Sequence, residues 1–173
     1  MKTHVLIYDG YVSFEIMLAM YLMKTKGEII TVGISSNPVK SYEGLRVNPE
    51  QSLDEVNDGD IEAFIIPGGD ISEIQQNEKL VSLLQKMNTD HKYIGAICSG
   101  VDLIKQAGLL EGKKYTSNDA SHTVTYEVHD NLITAKANGY VDFAIALGQM
   151  RGIYSDEADY EETIRFFKYF END

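Results

Sequence analysis

The chain holds one cysteine, three prolines and no tryptophan in 173 residues. A single cysteine excludes an intramolecular disulfide framework and any zinc or iron–sulfur centre built from several thiolates. The four histidines, His4, His91, His122 and His129, show no close metal-ligand spacing, so no metal site is expected. Basic residues are scarce: 15 Lys and Arg face 27 Asp and Glu, a formal net charge of -12. Affinity for a phosphate backbone or an anionic lipid surface comes from cationic side chains, so neither nucleic acid nor membrane is an expected partner. No apolar run approaches the roughly 18 residues of a membrane span. The run that follows Met1-Lys2-Thr3-His4 is too short for a signal peptide. No Gly-rich phosphate loop of Walker or dinucleotide form is present, and no cofactor is expected. What remains is 43% hydrophobic and 24% charged, the composition of a domain that can bury a core unaided. No linker, repeat or low-complexity stretch divides it, which predicts one domain over residues 1–173 and a cytoplasmic location.

Short apolar runs alternate with helical periodicity along the chain. Val5-Leu6-Ile7-Tyr8 stops at Asp9-Gly10 and predicts a buried strand. Phe14, Met17, Leu18, Tyr21 and Leu22 repeat at helical spacing, which predicts a helix over 13–26 with Gly27 as its C-terminal cap. Further strands are expected over 29–34, 63–66 and 93–97. Further helices are expected around 80–87, from Cys98 to Gly108, over 141–151 and over 157–170. Residues 38–49 read as short extended segments broken by Gly44, and Asp130-Asn131 as the turn of a hairpin joining 124–129 to 132–135. Such alternation indicates a mostly parallel sheet covered by helices on both faces. Sites in these sheets lie at the carboxyl ends of the strands, which singles out Asp9-Gly10, Pro67-Gly68-Gly69 and Cys98-Ser99-Gly100.

Cys98 ends a strand and opens a helix, with Gly95, Ala96 and Gly100 around it. A nucleophile elbow needs such small neighbours, because its turn is strained and packed closely. The helix N-terminus also favours the thiolate, so a lowered thiol pKa is expected. The plainer reading is a small buried hydrophobe. Glu15 is the one charged residue between Asp9 and Lys24. In a helix apolar on nearly every face its carboxyl is expected to keep its proton near neutral pH and to exchange it with a neighbour. The alternative is a first-turn Glu that serves the helix dipole and reaches water. Gly68, Gly69 and the amide of Ser99 are candidates for an oxyanion hole, although a Pro-Gly-Gly turn is also simply a turn.

Taken together, Asp9-Gly10, Glu15 in the first helix, Ile65-Ile66-Pro67-Gly68-Gly69 and Gly95-Ala96-Ile97-Cys98-Ser99-Gly100 resemble the ThiJ/PfpI superfamily. This is the group of the parkinsonism-associated protein, bacterial stress proteins and class I amidotransferase-like enzymes. The stretch 107–116, Leu132-Ile133-Thr134-Ala135 and the helix after Gly139 are similar as well, so the resemblance covers nearly the whole chain. It implies a flavodoxin-like three-layer α/β sandwich with a mostly parallel sheet and a small β-hairpin. It also implies Cys98 as nucleophile, Glu15 as its carboxyl partner, and a homodimer or higher homo-oligomer. Many members carry a His directly after the nucleophile or after the later Thr-containing segment. Here Ser99 follows Cys98, and Asn118-Asp119 follows Thr116-Ser117, so Asn118 stands where the imidazole is expected. His122 can swing in from the loop or remain a surface residue. His129 reads as a strand residue, and no His–Glu relay of the amidotransferase kind is present. The expected function is cofactor-independent cysteine chemistry on a small carbonyl substrate, a 2-oxoaldehyde, an amide or a related electrophile. A redox-responsive stress protein that oxidises Cys98 without turnover, and a module with a vestigial site, are the alternatives.

Overall fold

The structure, a computed structural model, describes residues 1–171. In chain order the strands are β1 (Lys2–Ile7), β2 (Glu28–Gly33), β3 (Val39–Lys40), β4 (Arg46–Val47), β5 (Gln51–Ser52), β6 (Ala63–Ile66), β7 (Tyr93–Ile97), β8 (Tyr126–His129) and β9 (Leu132–Ala135). The helices are α1 (Phe14–Lys24), α2 (Glu78–Thr89), α3 (Gly100–Gln106), α4 (Tyr140–Met150) and α5 (Glu157–Ile164). Seven strands form one sheet in the order β5-β2-β1-β6-β7-β9-β8, while β3 and β4 make a separate two-stranded hairpin. All pairings in the large sheet are parallel except β8 with β9. That last pair turns at Asp130, whose φ of 53° suits the tight hairpin read from Asp130-Asn131. The fold is flavodoxin-like, as expected.

Val5, Leu6, Phe64, Ile65, Ile66, Ile94, Ala96 and Ile97 are fully buried, as strands apolar on both faces must be. The chain steps from β1 to β2 in one direction and from β6 to β7 in the other. Right-handed crossovers therefore put α1 on one face of the sheet and α2 on the opposite one. The reversal falls between β1 and β6, and their carboxyl ends open into the loops 8–13 and 67–70. These loops are stitched together where Val12 N–H donates to Gly68 O at 2.9 Å and Tyr11 bridges Gly69. A topological switch point of this kind is where such sheets place their sites.

Three helix ends differ from the sequence expectation. α1 stops at Lys24, because the Thr25 hydroxyl closes its last turn on Leu22 O at 2.7 Å. Gly27 serves close approach instead of capping: a Cβ there would stand 2.1 Å from Met1 O. α3 ends at Gln106, with Gly108 at φ 80° as the left-handed stop. The final helix is α-helical only to Ile164 and then widens into a π-helical turn, Arg165–Tyr169. Phe167 in that turn meets Tyr21 of α1, ring to ring at 6.1 Å.

Candidate active site

Cys98 leaves β7 at φ 57°, a left-handed conformation that costs a non-glycine residue energy and turns the chain sharply into α3. Two glycines make room for it. A Cβ on Gly100 would stand 2.6 Å from Ile66 O, and one on Gly68 would stand 2.5 Å from Cys98 Cβ and 2.7 Å from both Cys98 Sγ and Glu15 Oε2. The elbow thus has the small surroundings that its sequence suggested, and its thiol is partly exposed.

Glu15 enters from the first turn of α1 and is only 2% exposed. Its Oε2 accepts the Gly68 N–H at 2.7 Å, and its carboxyl shares a hydrogen bond with the Cys98 thiol. From the other side Asn118 Nδ2 donates to Cys98 Sγ at 3.0 Å. The Asn118 amide is oriented in turn, since its Oδ1 accepts the Ala137 N–H at 3.0 Å. The approach of residues 116–118 is fixed by Thr116, whose N–H donates to Thr134 Oγ1 and whose hydroxyl donates to Val124 O. Asn118 therefore stands at the sulfur, where an imidazole was sought, and it brings a donor that does not titrate.

Burial pushes the Glu15 carboxyl up, against the pull of the Gly68 N–H and the Cys98 contact. Burial also pushes the Cys98 thiol up, and the neighbouring Glu15 adds to that, while the Ser99 N–H and the Asn118 amide pull it down. The expectation of a lowered thiol pKa is corrected here. α3 has only seven residues, so its dipole is short, and the sulfur shares its site with a buried carboxyl. A negative charge on either group opposes one on the other, so the two titrate as a unit.

The backbone donors also differ from expectation. The Gly68 N–H is engaged by Glu15 and is not free for an oxyanion. The Gly69 N–H donates to Ser99 Oγ at 2.9 Å, and that hydroxyl donates back to Gly69 O at 2.7 Å. Ser99 thus clasps the loop after β6, and only its own N–H is turned toward the sulfur. His122 is not brought into the site: its ring lies against Tyr115 at 4.9 Å, and it makes no hydrogen bond to Cys98 or Glu15. His129 lies in β8, where its Nδ1 accepts the Lys114 N–H at 3.3 Å. Among the described residues no cluster of His, Cys, Asp and Glu is arranged to hold a metal ion.

Two residues at the site escape a sequence reading. Tyr8, at the end of β1, donates its hydroxyl to Pro67 O at 3.1 Å, and burial together with Glu15 and Cys98 pushes its phenol well up, so it stays neutral. It also borders a cavity of about 380 Å³ lined by Asp9, Ser35, Asn37, Asp70 and Glu73 among others. The second is Glu43, which binds the first two amides of the α1 terminus. A tyrosine ending a strand and a glutamate in a hairpin turn carry no local signal of either contact.

A left-handed cysteine following a parallel strand, in contact with a buried carboxyl from the first helix, sets a candidate site at the carboxyl end of a flavodoxin-like sheet. The chain belongs to the DJ-1/PfpI family, whose model matches residues 1–148. It is 33% identical over 119 residues to Deglycase TK1284 of Thermococcus kodakarensis, covering 68% of this chain and 72% of that one. It is 30% identical, with the same coverage, to Deglycase PfpI of Pyrococcus furiosus. The solved structure of the DJ-1 superfamily protein Atu0886 from Agrobacterium tumefaciens superposes with a TM-score of 0.85. That match covers 97% of this chain and 98% of the other at 21% identity, which speaks for the fold.

Proposed function

We propose that the protein is a cofactor-independent cysteine enzyme acting on small carbonyl electrophiles, with Cys98 as nucleophile and Glu15 as acid–base partner. The observation that carries this reading is the contact of Cys98 Sγ, held at a left-handed elbow, with the Glu15 carboxyl and the Asn118 amide. The name deglycase, carried by the two archaeal relatives, supports carbonyl chemistry at such a site. Glyoxalase-, deglycase- and amidase-type reactions all begin with the same step. With the pair's single mobile proton on Glu15, the Cys98 thiolate attacks, the S–C bond forms, and the carbonyl π pair moves to oxygen. Glu15 then returns the proton to that oxygen, leaving a hemithioacetal when the substrate is an aldehyde. We assign the developing oxyanion to the donors already turned toward sulfur, Ser99 N–H and Asn118 Nδ2, with the Gly69 N–H joining once the Ser99 hydroxyl releases it. The substrate is a small molecule, the chain works as a homodimer or higher homo-oligomer, and a reducing cytoplasm would keep its lone thiol available.

Steady-state turnover of glyoxal, methylglyoxal and a panel of small amides tests this. Wild type is expected to turn over an aldehyde, Cys98→Ala to lose that activity, and Glu15→Gln to fall by about 100-fold or more, as loss of a general acid–base does. Turnover that survives Cys98→Ala overturns the reading. Absence of turnover, with peroxide converting Cys98 to a sulfinic acid only when Glu15 is intact, replaces it with the redox-responsive alternative.

A further inference from the structure

The helix that delivers Glu15 does not cap itself. Ser13 precedes α1 but makes no side-chain capping bond, so its first amides need acceptors from elsewhere. Glu43 supplies them from 30 residues away: Oε2 accepts the Ser13 N–H and Oε1 the Phe14 N–H, each at 3.1 Å. One carboxylate thus spans the two amides that immediately precede Glu15.

Glu43 is itself held in place. It lies in the turn between β3 and β4, where Gly44 at φ 94° donates its N–H to Ser41 O at 3.0 Å. The Ser41 hydroxyl accepts the Leu45 N–H at 3.1 Å, closing the turn a second time. This hairpin is fastened to the loop between β1 and α1 by Gly10 N–H to Lys40 O and Tyr42 N–H to Tyr11 O, both at 2.8 Å. Asp9 Oδ1 adds a further bond by accepting the Lys40 N–H at 2.8 Å. The hairpin has no pairing with the main sheet, and these bonds aim its turn at the start of α1.

We propose that Glu43 is a positioning residue for the Glu15–Cys98 pair, its carboxylate clamping the first turn of α1 and so holding Glu15 at the sulfur. Its charge acts in the same sense. Burial opposes the ionisation of Glu43, but the Phe14 and Ser13 N–H groups prevail and hold it at about 2, so it is negative at any working pH. The groups that bear on Glu15 are the Gly68 N–H, the Cys98 thiol, the Tyr8 phenol and this carboxylate. A fixed negative charge nearby disfavours a second one on Glu15, and a Glu15 that keeps its proton can donate to the thiolate instead of repelling it. Removing Glu43 frees the turn and removes the charge, and both changes let Glu15 ionise more readily, at the expense of the thiolate.

The experiment is the pH dependence of Cys98 alkylation by iodoacetamide in wild type, Glu43→Ala and Glu43→Gln, each repeated with Glu15→Gln, and with melting followed in parallel. Glu43→Ala is expected to move the profile to higher pH and slow alkylation about threefold at pH 7, the equivalent of half a pH unit. Glu43→Gln, which keeps one acceptor oxygen, should move it less in the same direction, and it carries the test if the alanine variant does not fold. On the Glu15→Gln background neither substitution should move the profile. A lowered melting temperature with an unmoved profile, or a shift of equal size without Glu15, overturns the assignment. The inference rests on the pairing of Glu15 with Cys98 and on no substrate, so inactivity toward every aldehyde would remove the proposed reaction and leave this result standing.

Discussion

Gly68 is held by contact, not by backbone conformation. It has no positive φ, yet any Cβ there would lie within 2.7 Å of both the sulfur and the carboxyl of the pair it borders. Gly68→Ala should therefore push Cys98 and Glu15 apart, at a cost of about 1–3 kcal/mol for overpacking a dense site. Urea denaturation should register that loss, and the rate of Cys98 alkylation should change with it. A variant with wild-type stability and wild-type alkylation would show the site to be looser than described. Cys98 and Glu15 were legible in the sequence because each breaks a local pattern: a thiol between a strand and a helix, and one carboxyl in an apolar helix. The direction of the thiol's shift was not legible. It depends on how far the sulfur is buried and on what shares its site, and both are set by residues distant in sequence.

Among the elements, β1 carries a buried histidine. His4 sits in the strand opposite Ile30 on one side and Phe64 on the other, 1% exposed, with Nδ1 unpartnered. Burial lowers its pKa, Lys2 lowers it further, and Asp60 and Glu50 only partly oppose this. The unfolded chain takes up a proton near 6.5 while the folded one resists it. Stability from His4 is thus complete above that pH and is lost as pH falls through the folded value, by about 1.4 kcal/mol per pH unit at most. Glu15, with its raised folded pKa, works in the opposite sense above pH 4.5, so wild type must be compared with a non-titrating variant. The urea midpoint should fall more between pH 7 and pH 5 in wild type than in His4→Phe; equal slopes would remove His4 as the cause. The strands were readable as elements because their apolar runs are short, and those of β1 and β6 stop near Asp9-Gly10 and at Pro67-Gly68-Gly69. Helix ends were less readable: α1 closes on the Thr25 hydroxyl before the expected Gly27 cap, and α3 stops two residues short of Gly108. The hairpin of β3 and β4 appeared in the sequence as broken extended segments, and nothing local tied it to α1.

At the scale of the molecule, a chain with a net charge of -12 repels its own copies everywhere except across a neutral face. α1 offers one. Phe14, Met17 and Tyr21 are each about half exposed or more along it, and Tyr140 and Phe166 extend the apolar surface. The one charged residue within α1 before Lys24 is Glu15, which is turned inward. A stable dimer needs about 800 Å² per partner, so α1 would have to be joined by its neighbours in such an interface. Sedimentation equilibrium at micromolar concentration should give twice the 19.4 kDa chain mass for wild type and the single mass for the pair Met17→Glu, Tyr21→Glu. A wild type that sediments as one chain would leave the face without a second copy to cover it.

An amide in place of an imidazole fixes how many protons the site can handle. Asn118 offers a hydrogen to sulfur but can neither gain nor lose one, so the mobile proton belongs to Cys98 and Glu15 alone. Additions, hydrations and isomerisations of an aldehyde borrow that proton for the carbonyl oxygen and give it back. An amine driven off an acyl carbon would carry the pair's proton away with it, and only the water that later cleaves the thioester would restore it.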